Sequence, residues 1–175
     1  MRAVVVYESM YGNTHQIADA IGEGLRESLP TDVISVHDVN REMVDAAVLV
    51  VVGGPTHTHG MSHASTREAA ATTAAEPDSE LHLDSDAAGE GVREWLESLG
   101  PMTGRAAAFD TRVDMSALVT GRASKGIAKQ LRRHGFEVVV DPESFLVTKE
   151  NHLTPDEQSH ARKWGQQLGA AANAV

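Results

Sequence analysis

A short run of small, hydroxyl-bearing and amide side chains is the feature of this sequence that most clearly could do chemistry. The run is Ser9-Met10-Tyr11-Gly12-Asn13-Thr14, directly after a β-branched apolar segment and before a segment with helical periodicity. A helix N-terminus offers unpaired N–H groups and a partial positive charge, so a loop placed there suits an anion. Gly12 lets the backbone approach a ligand closely, and Asn13 tolerates left-handed conformations. The residue types predict a phosphate cradle.

The charge of this region limits which phosphate it could hold. No Lys or Arg occurs from residue 3 to residue 25. A triphosphate with magnesium normally recruits a lysine, and the pattern Gly121-x4-Gly126 continues with Ile127-Ala128 rather than Lys-Ser/Thr. The sequence also lacks G-x-G-x-x-G, which disfavours a dinucleotide fingerprint. A neutral, hydroxyl-rich cradle predicts a monophosphate.

Two other groups of side chains invite a chemical interpretation. His57, His59 and His63 are close in sequence, but the residues between them include no carboxylate. We therefore favour exposed or ligand-facing histidines over a metal site. Asp110 and Asp114 could be an acid pair, yet acids at strand ends more often cap loops.

No catalytic group of the chain's own is expected. The sequence has no G-x-S-x-G for a hydrolase elbow and no recognisable nucleophile–base pair. A phosphate-receiver domain needs clustered aspartates after its first and third strands, where this chain has Glu8 and Gly53.

Strand-like and helix-like segments alternate along the chain. The predicted strands are 3–7, 33–36, 46–52, 105–109 and a last one, 136–147, interrupted at Asp141-Pro142. The predicted helices are 14–29, 91–99, 124–134 with Gly135 as cap, and a last helix that Pro155 begins inside a capping box from Thr154 to Glu157. Such alternation predicts one α/β domain over residues 1–175, a doubly wound parallel sheet with helices on both faces.

The composition excludes several classes of protein. The chain has 175 residues, 41% of them apolar and 23% charged, which is typical of one globular domain. No apolar run approaches the roughly 20 residues that span a bilayer, and the start does not resemble a signal peptide, so we expect a cytoplasmic protein. A net charge of −10 disfavours nucleic-acid binding. The absence of cysteine excludes thiolate chemistry.

Residues 7–14 resemble the signature with which the flavodoxin family binds the phosphate of FMN. Gly53-Gly54-Pro55-Thr56, after the third predicted strand, matches the start of the family's second FMN loop. Gly60-Met61-Ser62 is similar to a loop of the flavodoxin-like quinone reductases. The resemblance follows the order of elements along the whole chain. It implies five parallel strands in the order 2-1-3-4-5, with FMN at their carboxyl edge.

The resemblance also implies a set of cofactor-binding residues. Ser9, Met10, Tyr11, Gly12, Asn13 and Thr14 would hold the phosphate, Pro55, Thr56, His57, Thr58, His59 and Gly60 would border one side of the ring, and Asp110, Thr111, Arg112 and Asp114 the other. The family typically stacks the ring between a Trp and a Tyr, which these loops lack. The open alternatives are stacking on histidine with Met61 or Met115 packed against the ring, a low affinity, or completion of the site by a partner subunit.

Residues 61–89 are an acidic segment rich in Ala, Thr and Ser that stands out as an insertion or a lid. Ser65 to Glu68 form a capping-box pattern, which predicts a short surface helix. The stretch 76–86 has five carboxylates and no Lys or Arg, which predicts an exposed, mobile loop or a docking patch for a basic redox partner.

Three functions remain open at this point. The resemblance favours an FMN electron carrier that serves redox partner proteins, as a monomer or a homodimer, over a self-sufficient oxidoreductase. The first alternative is an FMN-dependent NAD(P)H:quinone reductase, and the second is a flavin-free interaction module. Without the aromatic sandwich, we expect full reduction of the flavin at a potential less negative than in typical flavodoxins.

Overall fold

Seven strands and seven helices are present in the computed structural model, which describes residues 1–85, 87 and 89–173. The strands are β1 (Ala3–Tyr7), β2 (Thr31–Ser35), β3 (Leu49–His57), β4 (Gly60–Met61), β5 (Arg105–Val113), β6 (Glu137–Val138) and β7 (Glu143–Val147). The helices are α1 (Asn13–Arg26), α2 (Arg41–Asp45), α3 (Ala64–Ala74), α4 (Val92–Ser98), α5 (Ala117–Thr120), α6 (Ala123–His134) and α7 (Glu157–Asn173).

The main sheet is parallel and has the order β2-β1-β3-β5-β6, with β7 continuing the edge beside β5. The chain leaves this edge between β6 and β7, at Asp141-Pro142, where proline cannot donate to the ladder. Counting β6 and β7 as one interrupted strand, the predicted order 2-1-3-4-5 is confirmed. Only β4 runs against its neighbour, pairing with the end of β3 within the described residues.

Alternate side chains of the buried strands pack into two apolar layers, one on each face of the sheet. Val4 and Val6 pack in the layer that contains Trp95 of α4. Val5 packs in the opposite layer with Trp164 of α7. Both tryptophans are therefore core residues, and the β-branched runs form strands because both of their faces are covered.

Helices α1 and α7 lie unusually close together on one face. A Cβ on Gly24 would stand 2.0 Å from the carbonyl oxygen of Arg162, and one on Gly165 would stand 2.3 Å from that of Ile21. Backbone cannot retreat as a flexible side chain does, so only glycine permits this approach. The contact fixes α1, and with it the loop between β1 and α1.

The last helix begins later than predicted. It starts at Glu157, and Asp156 has a φ of +68°, so Pro155 lies in a turn rather than at the first helical position. The carboxylate of Glu157 accepts a hydrogen bond from the backbone N–H of Leu146 at 2.9 Å. The capping-box interpretation was wrong because this side chain bonds to β7 instead of to Thr154.

Other boundaries also differ from the sequence prediction. Strands β3 and β5 continue to His57 and Val113, beyond the predicted ends at residues 52 and 109, because they pair with each other as far as Pro55 and Thr111. Helix α3 begins at Ala64, before the predicted cap. In the described part of the chain, every helix is too short or too polar to span a bilayer.

Candidate functional site

A cleft of about 400 Å³ opens at the carboxyl edge of the sheet, beside β1 and β3. The crossovers from these two strands run in opposite directions, which makes this the point where doubly wound folds bind ligands. The cleft is lined by Met10, Tyr11, Asn13, Thr14, Pro55, Thr56, His57, Thr58, Thr66, Ala69, Thr111, Arg112, Val113, Val147 and Asn151. The three loops that the sequence singled out therefore meet here, together with α3 and the turn after β7.

The first loop is held in shape by its own hydrogen bonds. Ser9 Oγ accepts from the N–H of Gly12 at 3.1 Å. Gly12 has a φ of +92°, which favours glycine, and α1 begins at the next residue. The backbone therefore turns at Gly12, directly before the first turn of α1, whose N–H groups have no partner within the helix. Ser9 is buried and shapes the loop from beneath.

Two side chains of α1 tie this loop to the opposite side of the cleft. Thr14 Oγ1 and Thr111 Oγ1 are 2.7 Å apart and share a hydrogen bond. Asn13 Nδ2 donates to both the backbone oxygen and Oδ1 of Asn151, at 2.9 and 3.0 Å. Sequence analysis missed Asn151; its only signal is an asparagine, here at a φ of +63°, between the last strand and the last helix.

The second loop is a tight hairpin between β3 and β4. Thr58 and His59 both have positive φ, 46° and 72°, as a two-residue type I′ turn requires. Asn-Gly is the usual choice there, so a threonine in this conformation is strained. Thr58 lines the cleft, whereas His59 and Gly60 lie outside it. The hairpin thus presents residues 55–58 to a ligand.

Of the residues predicted for the third loop, only some line the cleft. Thr111 and Arg112 line the cleft, but Asp110 is fully buried and its Oδ2 accepts from the N–H of Ser124 at 2.7 Å. Asp110 therefore caps the start of α6 and does not line the cleft. Asp114 is exposed and also lies outside the cleft.

Arg112 leaves one strong donor unused. Its Nη1 donates to the backbone oxygen of Met115 at 2.7 Å, but its Nε is buried without a partner in the described part of the protein. Buried donors are rarely left unpaired in native proteins. The atom is also shielded from the cleft, so a ligand acceptor could reach it only if the side chain moved.

A buried polar network lies behind the second loop and was not anticipated from the sequence. Glu8 accepts from Ser62 Oγ and, at 2.8 Å, from the N–H of Val92 at the start of α4. Arg67 Nη1 donates to Ser62 Oγ at 2.8 Å, and Arg67 Nη2 pairs with Glu94 at 3.1 Å. The network fixes α3 and α4 relative to β1, and thereby places α3 as a wall of the cleft.

His57 is a titratable side chain of the cleft whose pKa is shifted by its surroundings. Burial lowers the pKa of His57, the Glu8 carboxylate opposes this, and the Arg67 guanidinium adds to it. At neutral pH the imidazole is therefore uncharged and can both donate and accept one hydrogen bond.

The lowered pKa of His57 gives the stability of the protein a pH dependence. Below about pH 6.5 the unfolded chain binds a proton that folded His57 resists, so the free energy of unfolding should fall on acidification. The loss should begin at that pH and level off below the folded pKa. Urea unfolding from pH 7.5 to 5 should show a shallower slope for His57→Gln, while the exposed His82→Gln should keep the wild-type slope. Equal slopes in all three proteins would contradict this.

The acidic segment after α3 reaches back to the first loop. Glu76, Asp78 and Glu80 are exposed, as predicted, but the Asp84 side chain is only 8% exposed. Its backbone N–H donates to the oxygen of Met10 at 2.8 Å. Asp86, the last acid of the predicted loop, and Ala88 lie outside the described residues. The mobility of the segment stays a prediction.

Helix α3 also contacts the ligand cleft directly. Thr66 and Ala69 line it, and Tyr11 Oη donates to the backbone oxygen of Ala70 at 2.9 Å. This bond holds the Tyr11 ring beside α3. Among the described residues, no three His, Asp or Glu side chains lie close enough together to hold a metal ion.

Comparison with known proteins agrees with this arrangement. The family model for flavodoxin matches residues 5–108, more than half of the chain. No curated protein sequence matches it significantly.

Solved structures share the fold at low sequence identity. A flavodoxin from the domain Archaea has a TM-score of 0.67 at 24% identity, over 98% of this chain and 99% of that one. Flavodoxin 1 from Bacillus cereus gives 0.64 at 18%, over 98% and 97%. A flavodoxin, WrbA-like protein from Agrobacterium tumefaciens gives 0.58 at 19%, over 98% and 96%. From the family match and the shared fold, the chain belongs to the flavodoxin family.

Proposed function

We propose that the protein binds FMN in the cleft and passes electrons between redox partner proteins. The observation that carries the proposal is the meeting of the three predicted loops around one cavity, at the edge where this fold binds ligands. Its volume lies within the range of small-molecule sites. When bound, FMN supplies the one- and two-electron chemistry, and the protein supplies position and electrostatics.

The phosphate is assigned to the first loop. The backbone N–H groups of Asn13 and Thr14 and the hydroxyl of Thr14 are the donors, and Ser9 shapes the turn that presents them through its bond to the Gly12 N–H. Asn13 acts through Asn151, because its amide already donates to that residue twice. The phosphate fits this loop because the loop's own residues are uncharged, because it lies at the start of a helix, and because its turn residue, Gly12, has no Cβ.

The ring is assigned to the space between the second and third loops. Pro55, Thr56, His57 and Thr58 border one side, and Thr111 and Arg112 border the other. Arg112 is the one Lys or Arg among the described lining residues, so its guanidinium is the cation available to a carbonyl or ring nitrogen of the isoalloxazine. His59, Gly60, Asp110 and Asp114 support these loops from outside the cleft.

The cleft offers no aromatic sandwich in its described lining. Its flat side chains are His57 and Tyr11, and the Tyr11 hydroxyl is bonded to α3. Met61 is buried against α6, near Gly126, and Met115 is exposed, so neither packs into the cleft. Stacking on His57, a low affinity and completion of the site by a partner subunit stay open.

Thr14→Ala should weaken FMN binding roughly tenfold or more, because a hydrogen bond to a charged group contributes about 1.5–3 kcal/mol. Riboflavin, which lacks the phosphate, should bind Thr14→Ala almost as well as it binds the wild type. Fluorescence titration with both flavins measures this, and Thr72→Ala on the exposed face of α3 is the matched control. Equal affinity of the wild type for FMN and riboflavin would refute the phosphate assignment.

A second function has one specific observation in its favour. The loop Gly60-Met61-Ser62 is similar to that of flavodoxin-like quinone reductases, and the fold is shared with a WrbA-like protein. Rapid NAD(P)H oxidation with a quinone by the pure protein, without an added reductase, would favour this alternative. A colourless protein that takes up no flavin would favour the flavin-free module.

A further inference from the structure

An acidic side chain stands against the loop that the proposed function assigns to the phosphate. Asp84 Oδ2 lies 3.2 Å from His15 Nδ1, and 4.0 Å from the position that a Cβ on Gly12 would take. The Asp84 N–H holds the Met10 oxygen at 2.8 Å, so the backbone anchors the carboxylate there. The chain thus places a negative charge beside the start of α1.

The surroundings of Asp84 offset its charge only in part. His15 is its partner, and His15 Nε2 also lies 3.7 Å from Asp19, a second carboxylate. The His15 ring stacks on Tyr7, with centroids 4.4 Å apart, which fixes its position. No Lys or Arg occurs from residue 3 to residue 25. A phosphate carrying nearly two negative charges would therefore meet the Asp84 carboxylate beside the loop, with one imidazole as the partner of that carboxylate.

We propose that Asp84 sets how strongly the site prefers phosphorylated over unphosphorylated flavin, by opposing the charge of the phosphate. The inference rests on the proposed FMN site. The helix start and the N–H groups attract the phosphate, and the Asp84 carboxylate subtracts from that attraction because like charges repel at short range. Riboflavin carries no such charge, so Asp84 affects its binding little.

Asp84→Asn tests the inference because it removes the charge and preserves the shape. FMN should bind Asp84→Asn roughly three- to tenfold more tightly than the wild type at low salt, and riboflavin equally to both. The gain should shrink in 0.5 M salt as screening increases. Asp78→Asn is the matched control, since it makes the same change of net charge at an exposed position of the same segment.

Inorganic phosphate provides a second measurement that needs no flavin. Phosphate should raise the melting temperature of Asp84→Asn more than that of the wild type or of Asp78→Asn.

Three results would overturn the inference. Unchanged FMN affinity in Asp84→Asn would show that the Asp84 carboxylate does not affect phosphate binding. Weaker FMN binding would show that Asp84 instead orients His15 toward the phosphate. A wild-type protein that binds neither flavin would overturn the proposed function together with this inference, whereas the first two results leave the proposed function intact.

Discussion

Glu8→Ala is expected to lower the free energy of unfolding by about 3–4 kcal/mol, because the carboxylate is the centre of a buried network. Without it, the Val92 N–H and the Ser62 hydroxyl lose their acceptor. Arg67 is buried as well, and Glu94, itself partly exposed, remains as its carboxylate partner. Urea unfolding at pH 7.5 measures the loss.

Two control variants separate the network from a general effect of losing a carboxylate. Glu23→Ala on the exposed face of α1 should change stability by less than about 0.5 kcal/mol. Glu8→Gln retains one carbonyl acceptor and the shape of the side chain, so it should lie between Glu8→Ala and the wild type. If Glu8→Ala were no more damaging than Glu23→Ala, the network would be unimportant for stability.

Glu8→Ala should also weaken FMN binding in the fraction that remains folded. Glu8 precedes the first loop directly, and through Ser62 it holds the segment that leads into α3, a wall of the cleft. Titration under conditions where the variant is fully folded separates this effect from unfolding. Wild-type affinity in the folded variant would show that the position of α3 does not depend on Glu8.

The strands and the first loop were predictable because they depend on short-range pattern, whereas the strand order followed from the resemblance to the flavodoxin family. Apolar β-branched runs such as Ala3–Tyr7 identify strands buried on both faces, and alternation with helical periodicity leaves few topologies. The first loop is a contiguous run whose glycine and hydroxyl residues are needed at adjacent positions. A motif of this kind can be recognised from the sequence alone because its residues are adjacent.

The polar partners of the cleft were not predictable because they are distant in sequence. Glu8 contacts Ser62 and Val92, and Asn13 contacts Asn151, 138 residues further on. No periodicity relates such positions, and each pairing depends on how the loops lie once the sheet has formed. The role of Asp110 shows the same limit: an acid at a strand end can point into a site or turn back to cap a helix, and here it caps α6.

Arg112→Gln is expected to weaken FMN binding roughly tenfold or more and to make reduction of the bound flavin more difficult. Arg112 is the one Lys or Arg among the described residues that line the cleft, so its guanidinium is the cation best placed for the ring. A hydrogen bond to a charged group contributes about 1.5–3 kcal/mol. A cation beside the ring also favours the negative charge that reduction adds.

Redox titration measures the second effect. Removing the Arg112 charge should shift the potential for full reduction by roughly 50–100 mV to more negative values, since about 59 mV corresponds to 1.4 kcal/mol for one electron. The positive charge of Arg112 and the missing aromatic sandwich act in the same direction. Both predict a wild-type potential less negative than in typical flavodoxins. A wild-type potential as low as theirs would contradict both arguments.

Arg112→Lys distinguishes charge from hydrogen-bond geometry. Lysine keeps the positive charge, so the potential of Arg112→Lys should stay close to that of the wild type. Lysine lacks the planar donor group, so Arg112→Lys should bind FMN more weakly than the wild type. Arg122→Gln is the matched control, because Arg122 donates to Ser144 and Pro142 outside the cleft, and it should leave the potential unchanged. Since Arg112 also holds the backbone of Met115, melting temperatures must accompany each titration. If Arg112→Gln and Arg122→Gln shifted the potential equally, the effect would reflect net charge, and the placement of Arg112 beside the ring would be wrong.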